Sequence, residues 1–317
     1  MEQRPRVRIG LTDLEVAPLA AGAWAWGDRS FWGYHGDFGP RDVVDAFSAS
    51  ADAGLDLFDT AEVYGDGESE RILGWMVNKR GAPLLVATKF GLLPGRDAAA
   101  LPRALDASLR RLGLARVDLY QIHWPDQATA PIPALMDALA DAVVAGKARA
   151  VGVSNFSASE MREAHAALAR RGVPLASNQV EYSLIHRAPE ADGVLDACRE
   201  LGVTLLAYSP LAQGILTGKY APGRLPAGPR AEHAEFSAEN LAAATSVVGL
   251  LREIGAAHGA LPGQAALAWL MAKPGVVPIA GAKTGDQARI NAGALGVVLE
   301  PGEVEALDRA SSPWREA

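Results

Sequence analysis

Short apolar runs recur along the chain, each rich in residues that favour strands and most closing on a polar group: LAAGAWAW from Leu19, LDLFD from Leu55, LLVATKF from Leu84, VDLYQIHW from Val117, ARAVGVS from Ala148, LASNQVE from Leu175, VTLLAYS from Val203 and VVPIAGA from Val276. Between most of them lie segments with apolar residues at helical spacing, such as RDVVDAFSASADAG and PALMDALADAVVAG, often closed by a glycine of the kind that ends helices. Continuous apolar strands alternating with helices predict a parallel sheet covered on its outer face. Eight such units predict closure into a (β/α)8 TIM barrel. A doubly wound open sheet is the lesser alternative, because no G-x-G-x-x-G follows the first run.

The runs begin 27 to 36 residues apart until the last step, from Val203 to Val276, which spans 73. That excess predicts an extra loop and helix insertion after strand seven, containing GKYAPGRLPAGPR. The opening RVRIGLTDLEV reads as an N-terminal β-hairpin outside the barrel. With 317 residues the chain is long enough for one barrel or for two domains. No linker composition interrupts the pattern, so the expectation is a single domain over residues 1–317.

Charge and cysteine content narrow the function. The net charge of −7, with both signs interspersed, leaves no basic stripe to neutralise a nucleic-acid backbone. The single cysteine, Cys198, excludes an internal disulfide framework and any thiolate zinc cluster, which suits the cytoplasm. The charged start MEQRPRVRIG and the lack of a long uncharged apolar run predict neither a signal peptide nor a membrane span. The histidines His35, His165, His186, His233 and His258 show no metal-ligand spacing.

In such a barrel the active site forms at the C-terminal ends of the strands. The runs end on Asp59, Lys89, His123, Ser154 with Asn155, Gln179, and Tyr208 with Ser209. Singly, each has an ordinary structural explanation: a helix cap, a snorkelling lysine, a satisfied core histidine. Together they form a polar ring around one mouth. Tyr64 stands five residues after Asp59 in a glycine-rich turn. An ammonium at Lys89 would stabilise its phenolate and lower its pKa, and Asp59 would keep that lysine charged in a buried place. His123 could then orient a substrate oxygen toward the phenol.

These residues and their surroundings resemble the aldo-keto reductase superfamily. FDTAEVYG, VATKFG, LYQIHWPD, GVSNFS, NQVEYSLIHR and YSPLAQGILTGKY are similar to its successive motifs in order and spacing, from about Leu19 to Asn291. The resemblance implies a (β/α)8 barrel that passes a hydride from a nicotinamide cofactor to a small-molecule aldehyde or ketone. It makes Tyr64 the general acid, Lys89 and Asp59 the groups that tune it, and His123 the group that orients the carbonyl. It places Ser154, Asn155 and Gln179 on the carboxamide and Tyr208 against the nicotinamide ring, and counts Trp24 among the cofactor contacts. Ser209, Pro210, Leu211, Gly214 and Lys219 fall where the family wraps the pyrophosphate.

AGAKTGDQARIN resembles the adenosine-phosphate segment, with Lys283 and Thr284 placed for a 2′-phosphate, Gln287 and Asn291 on the adenine side, and Gly281 among the cofactor contacts. A cation there favours NADP(H), with NAD(H) as the weaker alternative. Ala280 and Lys283 stand where proline and arginine are common in the family, and a lysine is a looser reader of phosphate than an arginine. The stretch WAWGDRSFWGYHGDFG resembles a bacterial and plant branch with pyridoxal reductase-like members, which points to pyridoxal or a small aromatic aldehyde. Trp24, Trp26, Phe31, Trp32, Tyr34 and Trp124 could wall an aromatic substrate pocket or simply pack their loops. Two rival functions fit the same residues: a Schiff-base lyase using Lys89, and a cofactor-binding regulatory module resembling the potassium-channel β subunits.

Overall fold

A computed structural model describes residues 4–91, 96–125, 130–226 and 228–315. An antiparallel pair, β1 (Val7–Arg8) and β2 (Glu15–Val16), precedes the barrel, as the hairpin pattern predicts. Eight parallel strands then close on themselves: β3 (Ala20–Gly22), β4 (Leu57–Asp59), β5 (Leu85–Phe90), β6 (Val117–Ile122), β7 (Ala148–Ser154), β8 (Leu175–Glu181), β9 (Thr204–Tyr208) and β10 (Val276–Gly281), with β10 pairing both β9 and β3. Each lies within or at the edge of the run that predicts it. The first has only three residues, because the chain turns at Ala23 and carries Trp24 to Trp26 out of the sheet.

The helices α1 (Pro40–Asp52), α2 (Glu68–Arg80), α3 (Leu101–Leu112), α4 (Ile132–Val144), α5 (Ala158–Ala169), α6 (Ala188–Ala191) and α7 (Val194–Leu201) follow the strands in alternation. After β9 come short 3₁₀ turns and the helices α8 (Ala238–Ala257) and α9 (Pro262–Met271), and β10 is followed by α10 (Gly285–Gly293) and α11 (Pro301–Ala310). The predicted insertion is thus a belt of turns plus one additional helix. In α3 the residues Leu101, Leu105, Leu109 and Leu112 repeat at helical spacing and are all buried, which is why this segment packs as an amphipathic helix. It stops at Gly113, whose φ of 64° closes the helix in the left-handed region that an L side chain resists.

Inside the barrel the strand period of two sorts side chains into layers. Near the lower end Ala20, Leu57, Ala87, Leu119, Ala150, Ala176, Leu206 and Val277 form an apolar cluster capped by Ile9, Leu14 and Val16 of the hairpin. Two residues further along, the inward positions become Asp59, Lys89, Gln121 and Tyr208. The change from apolar to polar therefore takes one step of the pleat. Among the described residues no helix is long and apolar enough to cross a membrane.

Candidate active site

A cavity of about 1030 Å³ opens at the C-terminal end of the strands. Every predicted site residue lines it except Lys89, which is wholly buried beneath. Lys89 Nζ lies 2.5 Å from Asp59 Oδ2, 2.9 Å from the carbonyl of Thr60 and 3.3 Å from Tyr64 Oη. These contacts use three acceptors, so the ammonium is fully engaged. Burial opposes its charge, but Asp59 and then Tyr64 more than offset this and leave its pKa raised. A lysine held as ammonium cannot attack a carbonyl, which removes the chemical basis of the Schiff-base reading.

Tyr64 opens a 3₁₀ turn, Tyr64–Gly67, just before α2. The nearby ammonium alone would lower its pKa, but the net direction in the structure is the opposite. Burial of the phenol raises it most, the Lys89 ammonium pulls it back, and Asp59 pushes it up again. Tyr64 is therefore a protonated group at neutral pH, restrained by Lys89 from becoming a still weaker acid. His123 faces it, with ring centroids 5.6 Å apart and planes at 78°. Burial and then the Lys89 charge lower the His123 pKa to about 3. The imidazole is neutral, and so offers one N–H donor and no charge.

The ring of polar groups continues through direct bonds. Gln179 donates to Asp59 Oδ1 at 2.9 Å, and Ser154 donates to the Gln179 carbonyl at 2.7 Å. Asn155, held at φ 62°, donates to the His123 carbonyl and accepts from the Tyr208 hydroxyl at 3.1 Å. Thus the residues foreseen for a carboxamide already brace one another and the Asp59 carboxylate.

The aromatic loops divide. Trp24 stacks on Phe31 at 5.2 Å, meets Trp32 edge-on at 5.2 Å, and lies 6.2 Å from the Tyr64 ring. With Trp124 they wall the cavity above the phenol. Trp26 and Tyr34 do not: both are buried, and Trp26 donates its indole N–H to the Ala282 carbonyl. These two serve loop packing.

At the far end, Lys283 Nζ donates to the Trp32 carbonyl at 2.7 Å and sits over the rings of Trp32 and Phe38. The cation predicted to be free for a phosphate is thus partly engaged across the groove. Burial, then Arg230, lower its pKa to about 8. Arg230, which the sequence reading missed, is buried with its guanidinium 4.9 Å from the Trp32 ring. Thr284 caps α10 by accepting from the Gln287 N–H, and Asn291 ties to the Gly281 carbonyl. Glu181, also missed, closes β8 inside the cavity, and burial followed by Glu235 raises its pKa to about 7. It ends the LASNQVE run, so the strand-end criterion that found Gln179 would have found it.

Between them runs the loop after β9, where Ser209, Ala212 and Gln213 all have positive φ near 50°. Three non-glycine residues in that region store strain of a kind common at ligand-binding segments. At Gly214, φ is 102° and a Cβ would come within 2.6 Å of Lys219 Cε, so glycine lets the lysine fold back against the belt.

A barrel mouth with an aspartate, a lysine and a histidine at the ends of three successive strands, and a tyrosine in the turn after the first of them, agrees with the family comparison. The model of the aldo/keto reductase family matches residues 18–312, and the chain belongs to that family. It is an oxidoreductase whose general chemistry is carbonyl reduction. Among its relatives is the chloroplastic pyridoxal reductase of Arabidopsis thaliana, 36% identical over 97% of this chain and 86% of that protein. The glycerol dehydrogenase from Gluconobacter oxydans superposes with a TM-score of 0.85 at 30% identity, covering 97% of this chain and 95% of the other. An aldo-keto reductase from Klebsiella pneumoniae in complex with NADPH superposes with a TM-score of 0.75 at 29% identity, covering 98% and 95% respectively.

Proposed function

We propose that this protein is an NADPH-dependent reductase of small aromatic aldehydes, pyridoxal among them, with Tyr64 as proton donor. The observation that carries the reading is the chain Asp59–Lys89–Tyr64, at 2.5 and 3.3 Å, pointing its phenol into a cavity walled by Trp24, Trp32 and Trp124.

The groove fits a dinucleotide. Its volume is at the upper end for small-molecule sites. Two polar atoms buried in its lining, Trp32 Nε1 and Gln213 Oε1, have no hydrogen-bond partner, and an extended polar ligand could satisfy such atoms. Tyr208 would flank the nicotinamide, and Gln179, Ser154 and Asn155 would fix its edge. Ser209, Pro210, Leu211, Gly214 and Lys219 would follow the pyrophosphate. Lys283, the N-terminus of α10 at Thr284, and Arg230 would take a 2′-phosphate, while Gln287 and Asn291 would border the adenine. The likeness to a structure solved with NADPH favours NADP(H) over NAD(H). When bound, the reduced nicotinamide supplies the hydride.

The protein's own part is to receive the negative charge that develops on the carbonyl oxygen. Neutral His123 donates an N–H to that oxygen and holds it beside Tyr64. Tyr64 Oη then transfers its proton to the oxygen and leaves an alcohol. Lys89 stabilises the phenolate left behind, and Asp59, braced by Gln179, keeps Lys89 charged. The aromatic wall selects flat substrates by contact area. Pyridoxal follows from the likeness to the Arabidopsis pyridoxal reductase, and its ring suits this wall.

Oxidation of NADPH followed by absorbance against pyridoxal, 4-nitrobenzaldehyde and aliphatic aldehydes tests the reading. Tyr64→Phe should lower kcat by roughly 10²–10⁴-fold, as for loss of a general acid, and leave NADPH binding intact. Unchanged turnover in that variant would refute the role of Tyr64. A preference for aliphatic over aromatic aldehydes would refute the substrate class.

A further inference from the structure

Behind the Tyr64 turn, between the sheet and α2 and α3, lies a charged cluster that the proposed chemistry does not touch. Thr88 precedes Lys89 on β5 and so faces outward where Lys89 faces in. Its hydroxyl donates to Glu70 Oε1 at 2.6 Å. Glu70 is fully buried, and its other oxygen accepts from Arg111 Nε at 2.5 Å. The same guanidinium donates to Ser108 Oγ at 3.1 Å and lies 3.9 Å from Glu62 Oε2. Glu62 in turn accepts from the Gly91 N–H at 2.8 Å and from Arg96 at 2.6 Å. Glu62 and Glu70 stand on either side of Tyr64 in the chain, and one side chain from α3 reaches both.

The turn needs such a hold. Gly65, Asp66 and Gly67 have φ of 55°, 55° and 83°, so three successive residues sit in the left-handed region. Such strained backbone persists only where its surroundings over-determine it. On one side a Cβ at Gly65 would come 2.8 Å from the Gly27 carbonyl oxygen. On the other, a Cβ at Gly67 would come 2.7 Å from Arg111 Cδ. The arginine therefore lies directly on the turn, and glycine at 67 is what admits it.

We infer that Arg111 is a positioning residue: by gripping Glu62 and Glu70 it fixes the Tyr64 turn against β5 and sets the approach of the phenol to Lys89. This rests on the reading of Tyr64 as proton donor. A buried ion cluster is a poor source of net stability but can specify one geometry. Here the geometry is that of the reacting hydroxyl. Arginine suits the position because its planar fork can reach two carboxylates, which an ammonium cannot span.

The test compares Arg111→Met, Arg111→Lys, Tyr64→Phe and the double variant Tyr64→Phe/Arg111→Met, using NADPH and 4-nitrobenzaldehyde. Arg111→Met should lower kcat roughly 10–100-fold, the size of effect that a misplacement of about 1 Å produces. The aldehyde KM and the NADPH Kd, read by fluorescence, should move less than about threefold, since binding groups are untouched. Arg111→Lys should recover part of the loss. In the Tyr64→Phe background, Arg111→Met should cost less than about twofold more, because both changes disable one function. Wild-type kcat in Arg111→Met would overturn the inference. So would a further fall of about tenfold in the double variant, which would mark general loosening of the barrel mouth. Should Arg111→Met fail to fold, Glu62→Gln removes one tether, and unchanged kcat there would count equally against the inference. Tyr64→Phe with full turnover would instead bring down the proton-donor reading itself, whereas an inactive Tyr64→Phe beside a fully active Arg111→Met would bring down only the positioning role.

Discussion

The two inward layers of the barrel are built on the same strands two residues apart, yet they follow opposite rules. Leu57, Ala87 and Leu119 in the lower layer pack against the hairpin residues Ile9, Leu14 and Val16 in one apolar cluster. Asp59, Lys89 and Gln121 in the upper layer are equally buried and are held by hydrogen bonds and charge. The lower layer gains free energy by leaving water. The upper layer loses it on burial and regains it only through good partners. What the contrast teaches is that the barrel's lower half can stabilise an upper half chosen for chemistry. Damage to each half should therefore read differently.

Lys89→Met should give the largest effect, because it strikes stability and activity together. It leaves Asp59 buried with amide donors but without its cation, and breaking such a pair costs about 3–5 kcal/mol. Tyr64, the proposed proton donor, also loses the charge that would stabilise its conjugate base. Urea unfolding should show the loss of stability, and folded protein should have little turnover. Full activity in this variant would mean that the upper layer is merely structural. Leu119→Ala is the counterpart below. It should cost about 2–5 kcal/mol through lost burial and a cavity, while kcat per folded molecule stays near wild type. A large fall in kcat would show that the two layers are mechanically coupled.

The same division governs what the sequence makes legible. A period of two and a repeated strand–helix alternation are local properties, so all eight strands, the hairpin and the late insertion could be read from the residues. Asp59, Lys89 and His123 were legible because each is a polar group closing an apolar run, and Tyr64 because it follows such an end in a glycine-rich turn. Trp24 and Trp26 were not separable, since a turn at Ala23 sends one to the cavity and the other to the core. Arg230 sits in a belt with no period, where its sequence neighbours carry no sign of the distant Trp32 ring. The pKa of Tyr64 takes the opposite direction from the one its sequence neighbours suggest, because a sequence displays the nearby cation but not the depth of burial that outweighs it. For the same reason Arg111 is not legible: it lies in the last turn of α3 beside the exposed Arg110, and only the fold sets it on the Tyr64 turn.

The smallest predicted effect lies at the outer rim, where burial is partial and the chemistry is recognition. Lys283 in the free protein has a pKa near 8, depressed by burial and by Arg230. A 2′-phosphate would favour the ammonium, so binding raises that pKa and takes up a proton wherever the free lysine is neutral. Below pH 8 the lysine is already charged and affinity should be flat. Above it, the affinity for NADPH should fall by up to about tenfold per pH unit until the pKa of the bound state is reached. NADH lacks the phosphate and should show a much weaker slope. Fluorescence titrations of both cofactors at pH 7 and pH 9 decide the matter. Parallel slopes would mean that Lys283 serves mainly to tie the Trp32 loop across the groove, the bond it already makes at 2.7 Å. Divergent slopes, abolished in Lys283→Met, would assign the cofactor preference to a lysine that does both.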